Sequence, residues 1–334
     1  MWPACRRGSW YGPILYVCCR TVPVCYLFVR RSVTPVRNHV AWANEQEHRV
    51  SSDFRIVLQS RASKVWEAQV WIPSRLRVGF EQLAFFTLQE ALSCIFPVLI
   101  FLTLAVTKVV SIPGLHRYDL ILVACLLIQA GMYLTGLESG DELKVIGVFH
   151  LLGIVLELFK VHHGSWSYPE EAWTKVGGVP LYSGFMYASV ASYLCQAWRR
   201  LDVRLHSWPP AFVIVPLAIA VYGNFFTHHV LPDIRWWLTA AIFVVFLRSR
   251  VSFQVPNTRL WLPLPLAFFL IGLFVWFAEN IATFFNAWQY PSQADGWRMV
   301  HVQKLSSWFL LVIISFIAVA ALKHVKEERG RLSG

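Results

Sequence analysis

Long apolar runs separated by short polar or basic connections fill the chain from Gly79 onward. Eight stand out, at about 80–107, 119–135, 143–161, 180–198, 210–226, 235–247, 261–288 and 303–322. Most approach the roughly 20 residues a helix needs to cross a bilayer. A soluble core would be cut into shorter pieces. Pro180 and Pro210 suit the first turn of a helix, where the lost N–H has no partner anyway. The pattern predicts an all-α, polytopic transmembrane helical bundle of about eight spans over 79–323, followed by a cytoplasmic basic tail at 324–334.

Composition agrees. The chain is 56% hydrophobic and only 15% charged, against about 25% charged in soluble domains. The net charge of +11 is unevenly spread. Residues 1–78 hold twelve Lys/Arg against four acids (+8), and the remaining residues eighteen against fifteen (+3). Residues 1–78 therefore read as a basic, poorly ordered leader. No methionine lies between Met1 and Met132, which fits an extension upstream of the native start; N-terminal sequencing that returned Met1 would remove that reading. No basic–aromatic module points to nucleic acid. Of seven cysteines, Cys94, Cys125 and Cys195 sit singly in apolar runs and read as small buried hydrophobes.

Lys/Arg in short loops orient the spans. Arg199, Arg200 and Arg204 follow the fourth run, Arg248, Arg250 and Arg259 the sixth, and Lys323, Lys326, Arg329 and Arg331 the last. Eight spans put all three groups on one side, which predicts a plasma (inner) membrane protein with both termini cytoplasmic. Lys108 and Arg117 conflict with this scheme, as do the acidic Glu138, Asp141 and Glu142. Trp198, Trp208 and Trp261 mark the inner ends, and Trp166, Trp236, Trp288 and Trp308 the outer ends.

The polar residues that are costly to bury gather toward the outer side. Glu279 lies in the seventh run, on one helical face with Gly272, Trp276, Thr283, Asn286 and Tyr290. A carboxylate at that depth costs about 2.5–3.5 kcal/mol on insertion scales, so it is paired, protonated or used. The third run places His150, Gly153, Glu157 and Lys160 on one face and leads into His162, His163, Trp166 and Tyr168. The fifth ends with Asn224, His228 and His229. Glu157 and Lys160 could equally form a structural ion pair. Glu157, His163, His228 and Glu279 together could hold zinc or iron, since imidazole and carboxylate suit both, although no HExxH motif is present. Glu157 and Glu279 are the candidate acid–base pair. Lys160, Trp166, Tyr168, Asn224, Trp276, Asn280 and Tyr290 are the candidate orienting residues. Gly184, Ala188 and Ser192, spaced four apart, predict close helix packing.

Three blocks carry a resemblance: HLLGIVLELFKVHHGSWSYPEE…VGGVPLYSGFMY from His150, YGNFFTHHVLPDIRWW at 222–237, and FAENIATFFNAWQYPSQADGWRMVHVQKLSSW at 277–308. They resemble a bacterial family of multi-pass membrane proteins, the domain-of-unknown-function family 817 (the YoaT-like group), over about 76–322. The resemblance implies a topology without an activity. A fainter similarity, in site style alone, is to membrane carotenoid hydratases and lycopene cyclases, through Glu157, Gly164, Trp166, Tyr168, Gly178, Pro180 and Tyr187.

Three readings follow. The first is a membrane-embedded enzyme doing acid–base or metal-assisted chemistry on a lipid-soluble, isoprenoid-like small molecule. The second is a small-solute or proton-coupled transporter, against which stands the lack of an inverted repeat. The third is a non-catalytic scaffold. The bilayer is the one partner common to all three, and no oligomeric state is read from the sequence.

Overall fold

The computed structural model describes residues 74–332 except His229, with side chains described from 76 to 320. The leader reading, His229 and the side chains of the basic tail lie outside the described residues. Helix α1 (Ser74–Ser93) and α2 (Ile95–Val109) share the first predicted run but meet at a 59° bend. Pro97 accounts for the break, because it has no N–H to give the Ser93 carbonyl. The Ser93 hydroxyl caps the preceding turn, donating to the Gln89 carbonyl at 2.8 Å.

Then follow α3 (Arg117–Leu134), α4 (Gly140–His162), α5 (Gly184–Arg200), α6 (Ala211–Thr227), α7 (Arg235–Phe246), α8 (Leu264–Phe284) and α9 (Lys304–Leu332). Helices α3, α4 and α8 are each long and apolar enough to cross a membrane, and the bent α1–α2 pair passes the same test taken together. Helices α6, α7 and residues 304–320 of α9 are apolar but shorter. Leu127 (68% exposed) and Phe274 (69%) turn outward, a cost in water that a bilayer removes. The chain is a membrane protein.

It is mostly helical, not all-α. Strands β1 (Lys175–Val176) and β2 (Val179–Pro180) form a small hairpin. Pro180 therefore closes a strand, where the sequence suggested that it opens a helix, and α5 starts only after a 3₁₀ turn at Leu181–Ser183. Strands β3 (Arg204–His206), β4 (Arg250–Val255) and β5 (Thr258–Pro263) form an antiparallel sheet in that order. Val251, Ser252, Phe253 and Val255 of β4 are all buried, with the Ser252 hydroxyl 2.8 Å from His206 Nε2. Pro256 and Asn257, the latter at φ +64°, make the tight turn. The run expected to begin at Trp261 thus loses its first residues to β5, and α8 begins at Leu264.

Contacts sort the helix ends into two sets. At the sheet end, Glu138 accepts from Ser192 and Gln129, Glu142 pairs with Arg199 at 3.4 Å, and Trp208 packs on Phe246. At the other end, Arg117 donates to the Phe285 carbonyl (2.6 Å) and to Glu170 (2.7 Å), and Arg235 to Ser307 (3.4 Å). Glycines set the closest approaches. A Cβ at Gly184 would meet the His150 carbonyl at 2.7 Å, and one at Gly272 the Phe309 backbone at 3.1 Å. The small-residue spacing on α5 does serve packing, with Gly184, Ala188 and Ser192 all buried.

Candidate functional site

Two loops at the end opposite the sheet build the site. The exit of α4 and the exit of α8 are tied by Ser167 and Gln289, which exchange backbone hydrogen bonds at 2.9 Å in both directions. Trp166 and Tyr168 flank Ser167, so both project to one face. Their Nε1–H and O–H donate to the same oxygen, Glu157 Oε2, at 2.6 and 2.7 Å. Tyr187 of α5 donates to Glu157 Oε1 at 2.8 Å. Glu157, 5% exposed, is held by three neutral donors.

Glu279 has a parallel arrangement. Tyr290 donates to Oε1 and Trp308 to Oε2, each at 2.5 Å. Helix extrapolation placed Tyr290 three turns beyond Glu279. The hydroxyl returns because α8 stops at Phe284 and the chain reverses at Asn286, whose φ is +56°; Asn tolerates that conformation better than most residues. Trp166 and Tyr290 meet edge-to-face, centroids 5.9 Å apart, so one aromatic contact joins the two carboxylate shells. The Lys304 ammonium lies over both rings, 4.7 Å from Tyr290 and 5.5 Å from Trp166, a favourable cation–π position.

Beside these groups lies a cavity of about 100 Å³, room for about three waters. Lys160, Asn224, His228, Arg235, Glu279 and Lys304 supply its polar wall, and Leu156, Phe225 and Leu311 part of its apolar wall. Lys160 Nζ is 3.2 Å from His228 Nε2. His228 Nδ1 lies 2.8 Å from the Asn224 carbonyl, an acceptor only, so Nδ1 carries the proton and Nε2 accepts from Lys160. Burial, together with the charge of Lys160, holds the His228 imidazole below its usual value. Asn224 also donates to Asp233 Oδ1 at 3.1 Å, fixing the loop that enters α7. Burial would raise the Asp233 carboxyl, but the Arg235 backbone N–H, the Asn224 amide and the Arg235 guanidinium outweigh it, and the group sits below the usual carboxylate range.

Several sequence expectations need correction here. Glu157 does not border the cavity; Trp166 and Tyr187 stand in the wall in front of it. Tyr168 acts on Glu157 and likewise stays out of the wall. Asn280 faces away, donating to the Trp276 carbonyl (2.8 Å) and accepting from the Val300 N–H (2.9 Å), which pins the loop before α9. Trp276 is buried beneath the site, its Nε1–H without a partner among the described residues. The four-residue metal set is not assembled. His163 is exposed, with Nδ1 on the Phe159 carbonyl at 2.9 Å, and His228 faces Lys160. Among the described residues no three His, Cys, Asp or Glu side chains gather as a metal site. Conversely, Arg235, Lys304 and Trp308 enter the site without having been given a role there from sequence, and Tyr187, named above only through the carotenoid-enzyme similarity, enters as a donor to Glu157. Trp308 read as an interfacial marker, and only its place in the first turns of α9, opposite Gly272, distinguishes it.

A family model described as "Protein of unknown function (DUF817)" matches residues 82–316. YoaT of Bacillus subtilis (strain 168) is 59% identical over 250 residues, which is 75% of this chain and 95% of YoaT. Two crystal structures of MvINS, a mycobacterial Insig homolog from Mycobacterium vanbaalenii, also align. A cross-linked trimer gives 14% identity and a TM-score of 0.41 over 55% of this chain and 95% of that one. The second gives 13% and 0.40 over 54% and 93%. With the family match running through α1 to α9 and well over half the aligned positions identical in YoaT, the chain belongs to the DUF817 family.

Proposed function

We propose that this protein is a membrane-embedded acid–base enzyme in which Glu279 exchanges a proton with the polar end of a lipid-soluble substrate. One observation carries the reading. Glu279, itself 3% exposed, borders a cavity, yet among the described residues it forms no ion pair and is held only by neutral donors, Tyr290 and Trp308. Such a carboxylate keeps a lone pair for chemistry in a low-dielectric site. The Lys160–His228 pair in the same wall is the second proton-carrying group. Glu157 is a positioning residue that fixes Trp166, Tyr168 and Tyr187. The cavity admits only the polar end of a substrate, and the Leu156, Phe225 and Leu311 wall suits the apolar remainder.

The accompanying topology is about eight spans in the inner membrane, with the sheet end cytoplasmic. Successive helices alternate between the two sets of contacts, counting α1–α2 as one. Arg199, Arg200, Arg204, Arg248, Arg250 and Arg259 cluster at the sheet end. Arg117, which argued against this orientation, is held in place structurally, binding Glu170, the Leu104 carbonyl within α2 and the Phe285 carbonyl that ends α8. The acidic loop is answered on its own side by Arg199.

The test is a deletion strain of a bacterium carrying this protein, complemented with wild type or with Glu279→Gln, and comparison of total lipid extracts. The expected result is a lipid change on deletion that wild type reverses and Glu279→Gln does not. Identical extracts in all strains, or full reversal by Glu279→Gln, would overturn the proposal.

A further inference from the structure

A second polar feature lies far from Glu279, at the sheet end, and the proposed chemistry does not use it. A groove of about 680 Å³ is bounded by His206, Leu247, Arg248, Arg250, Arg259 and Trp261. Among the described residues its wall holds three guanidiniums and no acidic side chain. These charges are committed to different degrees. Arg259 binds the Asp202 carboxylate and donates to the Asp202 carbonyl at 2.8 Å. Arg250 makes a cation–π contact, its Cζ 4.3 Å from the Trp261 ring centroid, and its guanidinium N–H groups make no hydrogen bond or ion pair among the described residues. Arg248 is exposed and makes no hydrogen bond or ion pair among the described residues. Two donor forks of the geometry that grips a phosphate thus line one groove with no carboxylate between them among the described residues.

Apolar surroundings place the groove at headgroup level. Trp261 is 54% exposed only three residues before α8 enters its membrane-length run, and Leu247, in the groove wall, is 74% exposed. One turn back on α7, Val244 is also 74% exposed. A continuous apolar strip therefore leads from the groove up the outside of the bundle. Helix α7 has 12 residues, about 18 Å at 1.5 Å per residue, against a hydrocarbon core of about 30 Å. A helix this short is matched by local thinning of the bilayer, by flanking side chains that reach the interface, or by oligomerisation, and Arg248 and Arg250 at its end are placed for the second. Free phosphate would satisfy the charges but not the Val244–Leu247 strip.

We infer that this groove binds the headgroup of an anionic phospholipid, with Arg248 and Arg250 on the phosphate and an acyl chain along Val244 and Leu247. The site is independent of the Glu279 cavity. Anionic lipids of the cytoplasmic leaflet are the matching pool.

The experiment uses the full chain purified in neutral detergent. Native mass spectrometry counts retained lipid, and the thermal midpoint is followed during titration with phosphatidylglycerol, phosphatidylcholine or inorganic phosphate. Expected are retention of one phosphatidylglycerol and a raised midpoint, with neither effect from phosphatidylcholine or phosphate. Arg248→Gln/Arg250→Gln should weaken phosphatidylglycerol binding at least tenfold, and Leu247→Gln should weaken it without removing charge. Lys108→Gln/Lys144→Gln, which removes the same charge from exposed positions elsewhere, should leave it unchanged. Should the double arginine variant lose its helical circular dichroism, the exposed single variant Arg248→Gln carries the test. Undiminished binding in the folded arginine variant, equal loss in the lysine control, or displacement of the lipid by inorganic phosphate would each overturn the inference.

Discussion

Gly153→Ala puts one methyl group against the positioning apparatus of Glu157. The new Cβ would lie 2.5, 2.7 and 2.9 Å from Cδ2, Cγ and Cβ of Tyr187. The nearest atoms include the ring root and Cβ, not a flexible tip, so the whole side chain or the α4–α5 spacing has to shift. Overpacking of this kind costs about 1–3 kcal/mol. A shift that breaks the 2.8 Å bond from Tyr187 to Glu157 adds about 1–3 kcal/mol for a buried acceptor that loses its donor. Ala recovers about 1 kcal/mol of helix propensity over Gly. The sum is a destabilisation of about 1–5 kcal/mol. Thermal or denaturant unfolding in detergent measures it. In a Tyr187→Gly background the clash is absent, and Gly153→Ala should become neutral or stabilising. A neutral Gly153→Ala in the wild-type background, or one whose cost persists without the Tyr187 ring, would refute the assigned contact.

Three further outcomes are expected. Asn286→Gly should be tolerated and Asn286→Val should cost about 1–2 kcal/mol, because φ there is +56° and a β-branched residue resists that region; unfolding midpoints of the two variants decide it. Arg117→Ala should cost about 2–3 kcal/mol, the worth of charge-assisted bonds to the Phe285 carbonyl and Glu170 discounted for partial exposure, seen as a lower midpoint and faster proteolysis of the loop after α8. The depressed imidazole of His228 means that the unfolded chain takes up its proton first. Stability is then fully present above about pH 6.5 and falls as acid is added; the midpoint of His228→Gln should fall less steeply than that of wild type between about pH 7 and 5.5.

The parts of this protein governed by hydrophobic length were legible in its sequence. The run read as 143–161 is the core of α4, and that at 210–226 differs from α6 by a residue. Local chemistry that overrides hydropathy was not. Pro97 bends an apolar run that reads as continuous. The Val255-Pro256-Asn257-Thr258 turn, a recognisable hairpin signal, is masked by the apolar residues following it. At the site, sequence periodicity put Glu157 on the face of Lys160, and Glu279 on the face of Trp276 and Thr283. It could not show that Glu157 is sealed behind aromatic donors while Glu279 borders open space. That difference depends on the Ser167–Gln289 bridge and the reversal at Asn286, which join loops 122 positions apart (289 − 167). Asn280 illustrates the limit: one position from Glu279, it is turned about 100° around the helix and serves another loop.

The central claim separates the two buried glutamates by role, and an in vitro conversion assay addresses it most directly. Lipid extracted from the deletion strain is incubated with purified wild type, Glu157→Gln or Glu279→Gln, and the products are followed by mass spectrometry. The account predicts conversion by wild type, slower conversion by Glu157→Gln together with a lowered thermal midpoint, and none by a folded Glu279→Gln. Conversion by Glu279→Gln at the wild-type rate would contradict it, as would no conversion by any of the three.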